Sequence, residues 1–397
     1  MKVSFGIITR NFDTLEPIEQ FLDNAKKYKH DIYSVIIAYS HLLDYKLLET
    51  LNKRVKVFPI KINNTEFTSR QFSRMKISHT STRTLLHSPI FESADRVPYG
   101  FNRNCAVIKA IMTGSDILIF IDTDVYPNVL IKEEGKIYQR EIDFVGNHLE
   151  YLKREDVIAT TSDYSGYYII PPMNFRGMQE LLIGLQKEEA YNYVLESDRH
   201  NCLNVQDNKK RNPFITNKLL GGNMAIKLDA FEKIPPFFSS AYKVGDEIVL
   251  TRGEDTLFGL AFQNSQKKCI DIDTHIFHDT YNDYPSIPDI IYDRAIQERF
   301  FYACVGWIGR NPFLNWKSGK DLKECKAVQL RNLEIGSKAL AKYTENDRFL
   351  CLTQALENSY NRIEQTIDEY HNTLNAWEEF IEKVKQRGET AYADTDY

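Results

Sequence analysis

The sequence predicts an α/β protein with a mostly parallel central sheet flanked by helices, followed by a helical C-terminal region. Strand-like apolar runs alternate with helix-like segments through the first 62 residues, and a heptad pattern of apolar residues fills the last part of the chain. The chain has 397 residues with 43% hydrophobic content, which is enough for roughly two domains.

The first half of the chain predicts strands and helices in alternation. Strands are expected at 3–9, 34–38 and 55–62, with helices at 15–28 and 42–52 between them. The stretch 63–98 is rich in hydroxyl and basic side chains, and we expect a long loop insertion there. A helix over 104–114, with Gly114 after it, leads into a strand over 117–121. Further strands are expected at 143–149, 167–170, 224–227 and 269–272.

The C-terminal region carries an apolar seam at alternating spacings of four and three residues. Its members are Leu356, Tyr360, Ile363, Ile367, Tyr370, Leu374, Trp377, Ile381 and Val384. Such a heptad seam predicts a long helix that needs a partner. The partner is either the preceding helical segment, which would give a hairpin, or a second copy of the chain, which would give a homodimer. We therefore expect a domain boundary near residue 315, with residues 316–397 as a helical appendage.

Composition excludes several classes of protein. A formal net charge of −5 gives no basic footprint for nucleic acid. The six cysteines contain no Cys-x-x-Cys pair, so reduced, buried thiols are expected. No stretch reaches 18 consecutive apolar residues, and the start MKVSFGIITRN does not have the character of a signal peptide. We expect a cytoplasmic protein without a transmembrane segment.

Two carboxylates follow the most apolar predicted strand. The stretch ILIFIDTDVYPN places Asp122 and Asp124 directly after residues 117–121. Ligands of such sheets bind beyond the carboxyl ends of the strands, and two carboxylates there could hold Mg²⁺ or Mn²⁺ together with substrate phosphates. An ordinary turn is the competing interpretation, because Asp favours turns.

Three later segments add residue types suited to a site. Gly221 and Gly222 enter a predicted strand, where glycine permits close approach of a ligand to the backbone. Glu254 and Asp255 open a helical segment, although acidic residues also simply stabilise helix starts. His278 follows an apolar dipeptide and is either a loop residue or a neutral metal ligand.

Taken in order, these segments resemble a known family. The set comprises Ile7-Ile8-Thr9-Arg10-Asn11, Asn102-Arg103-Asn104, Asp122-Thr123-Asp124, Gly221-Gly222-Asn223, Gly253-Glu254-Asp255 and His278. It resembles nucleotide-sugar-dependent glycosyltransferases of the GT-A fold, most closely the inverting family 2 type, with a trait of galactosyltransferase-like enzymes in its Gly-Glu-Asp segment. The resemblance covers roughly residues 1–310 and rests on order and spacing.

The resemblance implies a Rossmann-like fold and Mn²⁺ or Mg²⁺ as cofactor. It also implies a nucleoside-diphosphate sugar as donor, with a UDP-sugar as the first choice. A hydroxyl of a glycan or another molecule would be the acceptor, with a role in glycan or glycoconjugate synthesis. Implied metal ligands are Asp124 and His278, with Asp122 on the ribose or on the metal through water. Asp255, beside Glu254, would be the catalytic base. The implied nucleotide and sugar contacts are Thr9, Arg10, Asn11, Arg103, Gly222 and Asn223.

The chain also departs from the family pattern. The 63–98 insertion is long, and so is the segment between Phe231 and Gly253, which leaves the position of Glu254 and Asp255 uncertain and a retaining mechanism open. A phosphatase of the haloacid-dehalogenase type is the alternative enzyme, with Asp122 as nucleophile. In that family this motif normally opens the core, whereas three strands precede it here. A non-catalytic carbohydrate-binding protein is the third hypothesis.

Overall fold

The computed structural model describes residues 1–62, 66–86, 98–200, 206–207, 211–263 and 266–390. Its strands are β1 (Val3–Phe12), β2 (Ile32–Leu43), β3 (Val57–Lys61), β4 (Ile117–Ile121), β5 (Val125–Tyr126), β6 (Asn128–Glu133), β7 (Lys136–Glu141), β8 (Val157–Thr161), β9 (Tyr164–Gly166), β10 (Gln206–Asp207), β11 (Phe214–Thr216), β12 (Asn223–Lys227), β13 (Ala241–Val244), β14 (Glu247–Leu250), β15 (Lys268–Asp271) and β16 (Ile276–His278).

The α-helices alternate with these strands and then fill the C-terminal region. They are α1 (Glu16–Lys27), α2 (Tyr45–Asn52), α3 (Glu66–Arg74), α4 (His79–Leu86), α5 (Tyr99–Met112), α6 (Phe144–Leu152), α7 (Met178–Leu185), α8 (Tyr191–His200), α9 (Glu254–Gly259), α10 (Arg294–Lys317), α11 (Leu322–Thr344), α12 (Leu352–Asn361) and α13 (Ile363–Thr390).

The central sheet confirms the predicted fold class. Its strand order is β11-β15-β8-β12-β4-β1-β2-β3. The neighbours β1 and β2, β1 and β4, β2 and β3, and β8 and β15 run parallel, whereas β12 runs antiparallel to both β4 and β8. Parallel pairs therefore outnumber antiparallel ones, which also include β11 with β15.

Helices cover both faces of the sheet, as the unalternating apolar strands predict. In β4, Ile119 packs into the core shared with α1 and α6, whereas its neighbour Phe120 packs into the core shared with α4, α5 and α13. All five residues of β4 are buried. The predicted strand over 117–121 matches β4 at both ends.

The antiparallel strand β12 determines what lies beside the acidic turn. Asn223 pairs with Ile121, so Gly221 and Gly222 enter the sheet at the edge where Asp122 leaves it. Because β1 and β2 run parallel to β4, their carboxyl ends share this edge. One edge of the sheet therefore collects the acidic turn, the double glycine and the end of the first strand.

Three local predictions were wrong. The described part of 63–98 is not a loop but forms α3 and α4, with Phe72, Leu85 and Leu86 buried in the core; residues 63–65 and 87–97 lie outside the described residues. The predicted strand at 143–149 is α6, and Asp143 caps it by accepting a hydrogen bond from Gly146 N–H at 2.8 Å. Residues 167–170 are not in a strand, since β9 ends at Gly166.

The C-terminal region is helical, as predicted, and its seam faces the rest of the chain. A break at Arg362 divides the seam between α12 and α13. In α13, Trp377 contacts Phe231 with ring centroids 5.5 Å apart, and Phe380 stacks on Phe72 at 5.4 Å. Thus α13 packs on the sheet domain and not in a simple hairpin with α11. The boundary expected at residue 315 falls inside α10.

Other expectations concern cysteines and membranes. Cys105, Cys269 and Cys304 are buried and Cys325 and Cys351 partly buried, all as free thiols, as expected; Cys202 lies outside the described residues. None of the helices in the described part of the chain combines the length and apolar character needed to cross a bilayer.

Candidate functional site

A cavity of about 870 Å³ lies at the edge of the sheet where β1, β2 and β4 end. Many of the predicted site residues line it together, although they come from distant parts of the sequence. They are Thr9, Arg10, Arg103, Asp122, Asp124, Glu254, Asp255 and His278, with Gly221 beside them. Asn11, Gly222 and Asn223 are not among the side chains that line it.

Asp124 and His278 form the part of the cavity best suited to a metal ion. His278 Nε2 lies 3.2 Å from Asp124 Oδ2, because β16 pairs with β5 directly after the acidic turn. In an octahedral site with bonds of about 2.1 Å, neighbouring ligand atoms lie roughly 3.0 Å apart. Within the described residues no set of three His, Cys, Asp or Glu side chains converges on one point. The pair therefore fits a metal that takes its remaining ligands from substrate phosphates and water.

Charges around Asp124 keep it ionised. Burial alone would raise its pKa, but His278 and then Arg299, whose Nη2 lies 3.3 Å from Asp124 Oδ2, lower the pKa to about 2. For His278, burial favours the neutral ring, and the Asp124 carboxylate outweighs it, so its pKa is raised. An ionised carboxylate beside an imidazole is a suitable pair of ligands for Mn²⁺.

Asp122 belongs to the same edge but faces a different neighbour. A Cβ on Gly222 would lie 2.5 Å from Asp122 Oδ2 and 2.9 Å from Tyr164 Oη. Burial raises the pKa of Asp122, partly offset by Arg103, whose Nη2 lies 3.9 Å from Oδ1. Asp122 is thus a neighbour of the Asp124–His278 pair, and its predicted contact with the ribose or a metal-bound water stays a prediction.

Arg103 and Glu254 are a buried ion pair. Arg103 Nε donates to Glu254 Oε1 at 2.7 Å, and Nη1 donates to the Gly221 carbonyl oxygen at 3.1 Å. The guanidinium also lies 4.8 Å from the Phe120 ring centroid. Both side chains are almost fully buried, 4% and 7% exposed. Glu254 therefore has a partner that fixes it and the segment it belongs to, and the catalytic role predicted for it stays a prediction.

Asp255 differs from its neighbour Glu254. One oxygen, Oδ2, accepts from Gly221 N–H at 3.0 Å, and the other, Oδ1, accepts from Thr256 N–H at 2.7 Å. The side chain is only partly buried and lines the cavity. Thr256 Oγ1 also donates to Oδ1 at 3.4 Å, whereas Oδ2 has a single donor among the described residues, so Asp255 is held in place and Oδ2 is the oxygen able to accept a proton.

The double glycine is required by packing. A side chain on Gly221 would clash with the Arg103 guanidinium, and one on Gly222 with Asp122. Gly222 N–H donates to Tyr164 Oη at 2.7 Å. Glycine here allows the backbone to approach three side chains of the site, whereas the sequence predicted close approach of a ligand, which stays a prediction.

Asn223 is a structural residue, in contrast to the predicted sugar contact. It is fully buried; its Nδ2 donates to the Ser162 carbonyl oxygen at 3.1 Å, and its Oδ1 lies 3.1 Å from His148 Nε2. His148 in turn contacts Thr160 Oγ1 through Nδ1 at 2.8 Å. Burial lowers the pKa of His148 to about 4.

Of the residues predicted near the nucleotide base, only some line the cavity. Thr9 and Arg10 line the cavity, and Thr9 Oγ1 donates to the Asn11 carbonyl oxygen at 2.6 Å. Asn11 Oδ1 is buried without a hydrogen-bond partner among the described residues. The structure thus brings Thr9 and Arg10 to the cavity, whereas Asn11 does not line it.

Sequence patterns missed several cavity residues. Tyr164 follows β8 after Asp163, an arrangement similar to the acidic turn after β4 that could have identified it; its ring lies 4.7 Å from His278. Arg299 and Arg310 lie on α10, and Lys187 follows α7. Nothing in their local sequence distinguishes these three from surface cations.

Solved structures with partial likeness include glucosyl-3-phosphoglycerate synthase from Mycobacterium tuberculosis. Its complex with Mn²⁺, UDP and phosphoglyceric acid is 13% identical with a TM-score of 0.38, over 81% of this chain and 79% of that one. A structure described as a mycobacterial protein gives the same identity and TM-score over 81% and 76%. No family model and no curated protein matches. At this similarity, residue roles do not transfer, so the side chains of the cavity carry the functional argument.

Proposed function

We propose that the protein is a metal-dependent glycosyltransferase that moves a sugar from a nucleoside-diphosphate sugar to an acceptor hydroxyl. One observation carries the proposal. Asp124 and His278 converge within 3.2 Å at the carboxyl edge of the sheet, and the accessible carboxylate of Asp255 lines the same cavity. This is the arrangement that a charged leaving group and a hydroxyl nucleophile together require.

The donor would bind at the Asp124 end. Asp124 and His278 would hold Mn²⁺ or Mg²⁺, which stabilises negative charge on the departing diphosphate. Thr9 and Arg10, at the end of β1, line the adjoining wall and would contact the nucleotide. Arg299, which already pairs with Asp124, adds a fixed positive charge near the leaving group.

Asp255 would take the proton from the acceptor hydroxyl as it attacks the sugar. Its two backbone hydrogen bonds fix the carboxylate, and the Arg103–Glu254 pair anchors the segment from which it projects. A base that comes from a different element than the metal ligands can lie on the face opposite the leaving group. We therefore propose inversion at the transferred carbon.

The phosphatase alternative has less support. It requires Asp122 to attack phosphate while Asp124 supplies a proton. Asp124 contacts two basic side chains, His278 and Arg299, and both favour its ionised form, so this carboxylate is better suited to bind a cation than to deliver a proton. Hydrolysis of small phosphomonoesters would nevertheless overturn the proposed transfer.

The finer expectations remain proposals. UDP-glucose, present in a crystal of the Mycobacterium tuberculosis synthase, is the first donor to test. A part in glycan or glycoconjugate synthesis, a cytoplasmic location and a homodimer through the C-terminal helix stay predictions from the sequence.

Metal-dependent nucleotide binding tests the proposal. UDP with Mn²⁺ should raise the melting temperature, because a ligand that binds the native state stabilises it. Asp124→Asn should abolish most of this shift. Asp163→Asn, which removes a carboxylate from the same cavity but not from the metal pair, should keep it.

Nucleotide release from a panel of nucleoside-diphosphate sugars should then identify the donor. If no nucleoside diphosphate gives a shift with Mn²⁺, or if Asp124→Asn shifts as much as the parent, the proposed function is wrong. Sugar binding without any donor turnover would support the carbohydrate-binding hypothesis.

A further inference from the structure

The cavity has a second region, away from Asp124, with a different charge. Lys187 and Arg310 line it, and we call these two residues the basic wall. Lys187 lies in the segment between α7 and α8, and Arg310 lies on α10. The wall is therefore assembled from two separate elements.

Arg310 is the most informative member. It is 3% exposed, its Nη2 donates to Asn311 Oδ1 at 3.0 Å, and its Nε has no hydrogen-bond partner in the described part of the chain. Within residues 1–62, 66–86, 98–200, 206–207, 211–263 and 266–390, no carboxylate lies within 4.0 Å of it. A buried guanidinium with no carboxylate in direct contact is costly, and a bound anion ordinarily compensates it.

Lys187 is also poorly neutralised. Its Nζ lies 3.4 Å from Glu189 Oε1 and 5.2 Å from the Trp307 ring centroid. Lys187 is 13% exposed, whereas Glu189 is 54% exposed, so solvent weakens the one acidic contact that this mostly buried ammonium makes among the described residues. Burial and then the charge of Arg310 lower the pKa of Lys187 to about 8.

The basic wall adjoins Asp255. A Cβ on Gly253, two residues before Asp255, would lie 2.6 Å from Arg310 Nη1. Asp124, in contrast, contacts His278 and Arg299. The basic wall is therefore at the end of the cavity that holds the proposed base, and not at the proposed metal end.

We propose that the acceptor carries an anionic group, a phosphate or a carboxylate, which binds between Lys187 and Arg310 and directs the acceptor hydroxyl to Asp255. This inference rests on the proposed function, since it assigns the acceptor class of the same cavity. The anion supplies the direct ion-pair contact that no carboxylate of the described residues makes with Arg310, and the Arg310 guanidinium can bind either group through two hydrogen bonds.

Calorimetric titration of one hexose in three forms tests the inference. With Mn²⁺ and UDP present, glucose 6-phosphate or glucuronate should bind at least tenfold more tightly than glucose. The stronger of the two distinguishes phosphate from carboxylate. Lys187→Met should lower the ratio of anionic-hexose affinity to glucose affinity at least tenfold. Lys320→Met, which removes an exposed ammonium outside the cavity, should leave this ratio unchanged.

Arg310→Met separates ligand binding from a structural role. Because it removes an uncompensated buried charge, it should lose the anion preference while its melting temperature stays equal to or above that of the parent. A large fall in melting temperature would mean that Arg310 has a structural role, and this would overturn its assignment to the anion.

The two proposals fail in different ways. Intact UDP binding with equal affinity for all three hexose forms overturns the anionic acceptor alone. Anion binding that depends on Lys187 without any UDP binding supports the basic wall as an anion site and overturns the glycosyltransferase.

Discussion

Glu254 and Asp255 are adjacent carboxylates, and neutralising each one should affect a different property of the protein. The sequence predicted both as catalytic, but Glu254 is 7% exposed and paired with Arg103, while Asp255 lines the cavity. The matched variants Glu254→Gln and Asp255→Asn each replace one carboxylate by an amide of nearly the same shape. We expect the first to lower stability and the second to lower turnover.

The stability lost in Glu254→Gln depends on which groups still neutralise Arg103. Without the carboxylate, the guanidinium keeps the Gly221 carbonyl oxygen at 3.1 Å and Asp122 at 3.9 Å. Removing one partner of a buried ion pair costs about 3–5 kcal/mol. Because the glutamine oxygen can still accept the hydrogen bond from Arg103 Nε and Asp122 remains nearby, we expect about 3 kcal/mol.

Asp255→Asn should lower the free energy of unfolding less than Glu254→Gln does, but it should lower turnover more. Asparagine has one oxygen for two backbone donors, Gly221 N–H and Thr256 N–H, so one hydrogen bond is lost at about 1 kcal/mol. Loss of a general base lowers turnover by about 10²–10⁴-fold. Affinity for UDP with Mn²⁺ should change little, because the base acts on the acceptor.

Three measurements on the same preparations test this pair. Urea unfolding gives stability, calorimetry gives UDP affinity, and nucleotide release gives turnover. The reasoning is refuted if Glu254→Gln is as stable as the parent, or if Asp255→Asn keeps more than a tenth of parental turnover. An equal fall in UDP affinity and turnover for Asp255→Asn would place this carboxylate in donor binding instead.

Two further predictions concern the residues around Asn223 and Asp122. Burial lowers the pKa of folded His148 to about 4, whereas the histidine of the unfolded chain is protonated below about 6.5. The free energy of unfolding should therefore fall by about 3 kcal/mol between pH 7 and pH 4 because of this residue. Urea unfolding of His148→Gln should show a weaker dependence on pH, and an unchanged dependence would contradict the assignment. Gly222→Ala would place a Cβ 2.5 Å from Asp122 Oδ2 and so displace this carboxylate. Calorimetry should then show UDP with Mn²⁺ binding at least tenfold more weakly. Unchanged affinity would show that the position of Asp122 does not affect donor binding.

The strands buried on both faces were the easiest part of the fold to predict. β4 is a five-residue apolar run with no polar alternation, and both ends match the prediction. β12 and β15 agree within one residue of the predicted strands. Such runs have few alternatives, because a short continuous apolar segment bounded by turns is typical of a central strand.

The errors have physical causes that are visible in the structure. The segment 143–149 is also short, and its apolar residues Phe144 and Val145 suggested a strand, but Asp143 caps a helix there and should have outweighed them. In 63–98, hydroxyl and basic side chains obscured two amphipathic helices. Ser78, whose Oγ accepts from Ser81 N–H at 3.1 Å, marks the start of α4, and Glu379 of α13 accepts from Ser78 N–H at 2.6 Å.

The candidate site was predictable where local sequence limits the chemistry and unpredictable where distant elements meet. Asp124 follows a buried strand, so its position at the sheet edge could be inferred from the sequence. Arg310 and Lys187 reach the same cavity only because α7 and α10 pack in one core with α11 and α12. Their importance depends on burial and on the lack of a close carboxylate partner, which no local pattern records.

The double glycine gives the strongest reason to regard the cavity as one functional unit. Gly221 N–H holds Asp255, and the Gly221 carbonyl oxygen accepts from Arg103. One residue later, Gly222 N–H bonds to Tyr164 Oη, and the Tyr164 ring lies 4.7 Å from His278. Because β12 enters the sheet beside β4, two consecutive backbone amides link the proposed base to a neighbour of the proposed metal ligand. A shift of this segment would therefore move both ends of the site together, which explains why a double glycine, and not one glycine alone, precedes β12.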